Sequence, residues 1–256
     1  MCDACVIESV RERMVSRRGL LGGAGASLAL AAAGGAGLLA APMARAQAQA
    51  AGQVEDLTHV LTEDFPTFFG PQQFFREQKF AFEKDGFNLF ELRVNEHTGT
   101  HLDAPMHFSA DGQSVDEIPV ASLVVPLCVV DIRAKAEADA DAQLTPDDLA
   151  AWIAANGEIP DRACVAMLSG WGGKVGGDGF RNADAEGKMH FPGFHVEAAQ
   201  MLLETGAAGI AVDTLSLDHG PSPDFATHYA WLPQNRWGLE AVANLDRMPA
   251  AGATLF

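Results

Sequence analysis

The sequence predicts an α/β domain, and three observations predict it. Apolar strand-like runs alternate with helical patterns between residues 124 and 212, the order of a layer with parallel pairing. A helix start is written clearly at Thr145, and the stretch before residue 124 is richer in β patterns. In chain order, Phe90-Glu91-Leu92-Arg93-Val94 alternates apolar and polar residues and predicts a half-buried strand. Val124 to Asp131 predicts a buried strand interrupted near its start by Pro126. Residues 134–143, rich in Ala, Glu, Asp and Lys, read as a solvated connection. Thr145 is placed as an N-cap with Pro146 at the first helical position, Asp147 and Asp148 suit the helix dipole, and Asn156-Gly157 stop the helix. A strand over Ala163–Leu168, a Gly-rich loop over Gly170–Gly179, a helix from about His195 to Glu204 and a strand over Gly209–Val212 follow. No Pro/Ser linker divides this region, so one domain is expected.

Composition narrows the function. The chain has 256 residues, 48% hydrophobic, enough for a sizeable core. Its 17 Lys+Arg against 34 Asp+Glu give a charge of −17, which argues against nucleic acid or an anionic membrane surface as partner. Repeats and heptads are absent from the sequence. From Gly19 to Ala44 no residue is charged; Arg11, Arg13 and the pair Arg17-Arg18 precede this run, and small-residue sites at Ala44-Arg45-Ala46 and Ala46-Gln47-Ala48 follow it. Those are the parts of a twin-arginine signal peptide. The expected division is therefore a leader over residues 1–46, cleaved near Ala46, and a domain over 47–256, periplasmic or secreted after passage through the twin-arginine translocase. Cys2 and Cys5 fall in the leader, whereas Cys128 and Cys164 sit in apolar runs and read as core thiols, with a disulfide open if their strands juxtapose them.

Chemistry concentrates between Glu96 and Phe108, where three of the eight histidines fall within eleven residues. Read as a strand, His97, Gly99, His101 and Asp103 share one face, with Gly99 leaving room between the imidazoles. Two imidazoles and a carboxylate make a borderline N/O site suited to Zn²⁺, Mn²⁺ or Fe²⁺. Pro105 ends the strand, and His107 can fold back as a fourth ligand or as a base. A bare polar strand face is the plainer alternative.

The run His-x-Gly-Thr-His-x-Asp-x-Pro-x-His-Phe, here His97 to Phe108, resembles the signature of the cyclase-like metal hydrolases, which include bacterial kynurenine formamidase and isatin hydrolase. Asp56–His59, Ser114–Pro119, Ser169–Trp171 and Ile210–Asp218 are similar to other family segments. The resemblance implies a single-domain swivelling β/β/α-type fold, a mixed sheet flanked by helices. It implies metal ligands at His97, His101 and Asp103 and a catalytic histidine at His107. It also points to His228 and Glu240, twelve residues apart, as ligands of a second ion or as groups that orient the nucleophile. One or two divalent ions per chain, Zn²⁺ or Mn²⁺, and a homodimer or higher homo-oligomer are implied with it. Family members usually continue beyond the strand that starts at Ala253, which leaves truncation open.

Remaining signals are weaker. The run Gly170–Gly177 fails the P-loop pattern because Val175 stands where Ser or Thr is needed, and no Gly-x-Ser-x-Gly elbow exists. A mobile loop beside the site is the preferred reading of those glycines. Phe68, Phe69 and Trp171 are candidate walls of an aromatic-substrate pocket; His59 and His219 are candidates to line it. His190 and His195 read as surface or helix-start residues. The expectation is hydrolysis of a small aromatic amide or lactam, an N-formyl arylamine or an isatin-like ring. The competing class is a binding protein that holds a metal or small ligand without turnover.

Overall fold

The computed structural model describes residues 53–256; the expected leader, with Cys2 and Cys5, lies outside them. Strands β1 (Phe74–Phe80) and β2 (Leu89–Val94) pair antiparallel around the one-turn helix α1 (Phe82–Asp85) and form a sheet of their own. The expected half-burial of this second strand is wrong: every residue of β2 is exposed, and among the described residues it pairs with β1 alone.

The rest of the chain builds the main layer. In order come β3 (His101–Asp103), β4 (Val125–Asp131), α2 (Arg133–Ala138), β5 (Gln143–Leu144), α3 (Pro146–Asn156), β6 (Cys164–Leu168), β7 (Gly193–Phe194), α4 (Val196–Leu203), β8 (Gly209–Val212), α5 (Ala226–Trp231), β9 (Trp237–Glu240) and β10 (Ala253–Leu255). Six strands make one mixed sheet in the order β10-β4-β6-β8-β9-β3. The inner four run parallel, while β10 and β3 close the two edges antiparallel. This is the mixed α/β layer expected. Helix α2 replaces the expected solvated connection, with Ala136 buried on its inner side.

Alternation along the strands divides the core. Val130, Val165, Met167, Ile210 and Val212 face Leu149 and Trp152 of α3, Ala198, Ala199 and Leu202 of α4, and Trp231 of α5. Leu127, Val129, Cys164, Ala166 and Trp237 share the other cluster with Ile118 and Leu245. Helix α3 starts as predicted: the Asp148 carboxylate accepts from the Thr145 N–H (2.7 Å) and hydroxyl (2.8 Å), a capping arrangement that fixes the first turn. His195 caps α4, its Nδ1 accepting from the Glu197 N–H at 3.2 Å. Cys128 pairs in register with Val165 and Leu127 with Cys164, so the two thiols project from opposite faces of neighbouring strands and both are free.

Candidate metal centre

The site forms where the edge strand β3 meets β9. His101 lies directly opposite Glu240 in the antiparallel register, so an imidazole and a carboxylate are paired by backbone hydrogen bonding alone. The expected unbroken strand through His97 is corrected. β3 begins only at His101, and the chain bends over residues 96–100 with Gly99 at φ 72°. Glycine is needed for that left-handed turn, not for space between the rings. The turn swings His97 back over the strand, where its Nδ1 stands 3.0 Å from Asp103 Oδ1 and 3.1 Å from His101 Nε2. Pro105 then starts a single 3₁₀ turn that ends at His107 and sets its ring 4.2 Å from that of His97, centroid to centroid.

Helix α5 delivers the next group. His228 Nε2 lies 3.4 Å from Asp103 Oδ2 and 3.3 Å from Glu240 Oε1, and His101 Nε2 lies 3.3 Å from Asp103 Oδ1 and 3.5 Å from Glu240 Oε2. Asp103 is 1% exposed and Glu240 4% exposed. Neither Asp103 oxygen receives a well-aimed hydrogen bond, which is costly for a buried carboxylate without a cation. His97, Asp103 and His107 form one set whose ligand atoms converge, and His101, Asp103 and Glu240 form another sharing the same acid. Imidazole and carboxylate donors around an orphaned acid fit a divalent cation.

The electrostatics agree. Burial works against a charged His101, yet the adjacent Asp103 carboxylate and the Glu240 charge push its pKa up to about 9. Burial also opposes a charged Asp103, but the surrounding imidazoles hold it below the usual carboxylate range. Burial raises Glu240, and the charge of Asp103 raises it further. Protein packed against the inner side of His107 pushes its pKa down to about 4 despite the pull of Asp103, which keeps the imidazole neutral near pH 7. His107 is exposed at the mouth of the site.

Two oriented partners were not anticipated from the sequence. Asp218 Oδ2 accepts from His228 Nδ1 at 2.6 Å and from the His228 backbone N–H at 3.1 Å, while Oδ1 accepts from Thr227 N–H at 2.8 Å. This leaves the Nε2 lone pair of His228 aimed at Asp103 and Glu240. Leu217 N–H donates to Glu240 Oε1 at 2.9 Å and fixes that carboxylate. An acid ten residues ahead of a histidine is the only sequence trace of the first pair; nothing local marks the second.

A cleft of about 220 Å³ opens over the imidazoles. Phe68 and Phe69 line it as expected, and Phe108, Leu215, Ser216 and Phe225 complete it. Phe225 takes φ 51° ahead of α5, a strained conformation for a bulky residue, and its ring packs on those of Phe68, Phe108 and His228. The other expected wall residues go elsewhere. Trp171 is buried in a separate cluster with Phe65 and Phe180, its Nε1 donating to Phe180 O. His59 lines a different cleft with Arg133 and Asp213. His219 is outside the metal cleft; burial lowers its pKa and Asp218 opposes that. The Gly-rich loop, expected beside the site, lines yet another cleft. Its start is a 3₁₀ turn whose Gly170 and Trp171 N–H groups donate to buried Asp213.

Comparison with known proteins places this geometry. The family model Cyclase ("Putative cyclase") matches residues 55–219. Isatin hydrolase of Roseibium aggregatum is 34% identical over 222 residues, 79% of this chain and 84% of the relative. Kynurenine formamidase of Salinibacter ruber is 28% identical over 160 residues, covering 62% and 67%. A crystal structure of an isatin hydrolase bound to the product analogue thioisatinate superposes with a TM-score of 0.73 at 32% identity, over 78% of this chain and 83% of that one. With the family model covering well over half of its length, the chain belongs to the cyclase family.

Proposed function

We propose that this protein is a metal-dependent amidohydrolase that opens the C–N bond of a small aromatic amide or lactam, an isatin-like ring or an N-formyl arylamine. The relatives supply the reaction class, amide hydrolysis. The observation that carries the site assignment is Asp103: a buried carboxylate without a well-aimed donor, ringed by His97, His101, His228 and Glu240. One or two ions, Zn²⁺ or Mn²⁺, are proposed. Bound there, such an ion supplies a Lewis acid that polarises a carbonyl and lowers the pKa of water.

The chain's own residues do the rest. Phe68, Phe69, Phe108 and Phe225 hold an aryl ring in the cleft by apolar contact and exclude water from it. His107, neutral and at the mouth, accepts the proton of the attacking water and returns it to the departing nitrogen. Asp218 keeps the proton of His228 on Nδ1, and Leu217 N–H holds Glu240 in place. Isatin-like lactams are favoured over formamides as substrates because the isatin hydrolase relative covers more of the chain at higher identity.

The test is metal quantification together with turnover of isatin, N-formylkynurenine and simple aryl amides. His107→Ala is expected to abolish hydrolysis while retaining most of the metal. Loss of both makes His107 a ligand. Metal-replete protein that turns over none of a broad panel of amides, lactams and esters is a binding protein instead. Export through the twin-arginine translocase belongs to the same proposal, supported by the leader sequence. So does a homo-oligomer, supported by Leu89, Phe90, Leu92 and Val94 left exposed on β2.

A further inference from the structure

The aromatic wall of the cleft is carried by a turn with an uneven foundation. At its near end Phe65 is buried against Trp171 and Phe180. Farther along, Gly70 N–H donates to Thr67 O at 3.1 Å and closes the turn that bears Phe68 and Phe69. Phe69 is 53% exposed, so burial of its own ring does little to hold the turn.

What touches the far side of this turn is Arg181. Its Nη2 donates to Phe68 O at 3.4 Å. Gly70, at φ 82°, presents bare backbone to the guanidinium, and a Cβ there would stand 3.1–3.3 Å from Nη1, Cζ and Nη2. The guanidinium is therefore seated against the turn, close enough that a Cβ at position 70 would press on it. The Nε of Arg181 is buried with no acceptor among the described residues. Although Glu63, Asp64 and Asp178 line the same outer cleft, the guanidinium donates to a backbone carbonyl, that of Phe68. A buried donor without a partner is costly, so the placement is not explained by Arg181's own hydrogen bonding.

The base under Arg181 is firm. Phe180 is 0% exposed and its carbonyl accepts from Trp171 Nε1 at 2.9 Å. On the other side Asn182 N–H donates to Asp178 O at 2.9 Å, and its side-chain amide donates to His190 O at 2.8 Å. His190 is in turn held by Asp141, with Nδ1–O distances of 2.8 and 3.0 Å. A rigid base, a planar cation and a turn with one weak end make a strut.

We infer that Arg181 is a positioning residue for the substrate wall: its guanidinium, seated on Gly70 and the Phe68 carbonyl, holds the Thr67–Gly70 turn and so sets how tightly an aryl group is gripped. The residue does not reach the cleft over the imidazoles. The substrate part of this inference rests on the function proposed above; the mechanical part does not.

The experiment compares Arg181→Ala, Arg181→Lys and Gly70→Ala with the unaltered chain, by hydrogen–deuterium exchange and by steady-state kinetics on isatin. In Arg181→Ala, exchange over residues 67–70 should accelerate about tenfold, while β9 amides keep their protection. KM should rise about fivefold, the equivalent of one ordinary hydrogen bond, with kcat within about twofold and metal content unchanged. Lysine, which keeps charge and reach but not the plane, should restore part of the loss. Gly70→Ala displaces the guanidinium and also strains the backbone at φ 82°, so an unaltered KM in it counts against the seat, while Arg181→Lys keeps the test decisive if Arg181→Ala does not fold. Unaltered exchange over 67–70 together with unaltered KM overturns the inference, as does a loss confined to kcat. If the unaltered chain hydrolyses no amide or lactam, the proposed function fails, and the exchange data still decide whether Arg181 is a strut.

Discussion

Replacing Asp218 by Asn tests how the centre is oriented. The two side chains have nearly the same shape, so packing is preserved and the change is confined to charge and hydrogen-bond direction. Asp218 Oδ2 accepts two donors, His228 Nδ1 at 2.6 Å and His228 N–H at 3.1 Å, while Oδ1 accepts Thr227 N–H at 2.8 Å. An amide has one oxygen. If it serves Thr227, its NH₂ faces the two donors of His228, and the imidazole must shift its remaining proton to Nε2. That nitrogen stands 3.4 Å from Asp103 and 3.3 Å from Glu240, so the lone pair offered to a cation disappears. A hydrogen bond to a charged group contributes about 1.5–3 kcal/mol, and loss of such supporting partners typically weakens metal affinity about 10–100-fold. The assay is chelator competition on metal-stripped protein, with ion stoichiometry measured at saturation. The expected result is a 10–100-fold weaker site, or one fewer ion, with helix content unchanged. Equal affinity and equal stoichiometry in Asp218→Asn would refute the claim that this carboxylate orients His228 for ligation.

Gly209→Ala should destabilise the fold by about 1–3 kcal/mol or more, since overpacking carries that cost and the added methyl would fall 2.2–2.4 Å from the ring of Trp237; an unchanged urea midpoint contradicts this. His190 should titrate above 6.5, because Asp141 and then Asp184 accept from its ring. Its raised folded pKa means the ion pair is fully present below pH 6.5 and lost as pH climbs through the folded value; Asp141→Asn should return the NMR titration towards 6.5. Chelation should lower the thermal midpoint, by the equivalent of about 2.7 kcal/mol for an ion present at a hundred times its Kd, and re-addition should restore it.

Local grammar made some of this legible. Thr145-Pro146-Asp147-Asp148 can cap a helix whatever surrounds it, and β4, β6 and β8 announce themselves as apolar runs because they are buried on both faces. The His97–His107 segment was readable as a cation site because its donors are near neighbours in sequence. The misreadings arise where tertiary context decides. His97 joins the cluster through a left-handed glycine, not through strand parity. β2 has the alternation of a half-covered strand but receives no cover from the described residues. Trp171 adjoins a Gly-rich loop suggestive of a site, yet its indole fills a different cluster, and no periodicity says which side of a sheet a loop will fall on. His228 and Glu240 were accessible through family resemblance alone, since nothing in residues 200–240 says that β9 pairs with a strand from residue 101.

That pairing has a consequence for time as well as space. Glu240 meets His101 in register, and beside them Thr100 Oγ1 donates to Ala241 O at 2.5 Å across 141 residues of chain. During synthesis the segment holding His97, His101 and Asp103 emerges long before α5 and β9 exist, so an unfinished polypeptide offers half a ligand set on an unpaired edge strand. Closing so large a loop is entropically slow, and the complete donor set appears only when the last part of the sheet docks. If the proposed centre binds its cation, tight capture would report that the chain has been made at least as far as Glu240 and has folded. On the metal-centre reading, a chain cut short before His228 would keep only His97, His101 and Asp103 of the proposed ligands and would hold an ion more weakly than the finished sheet.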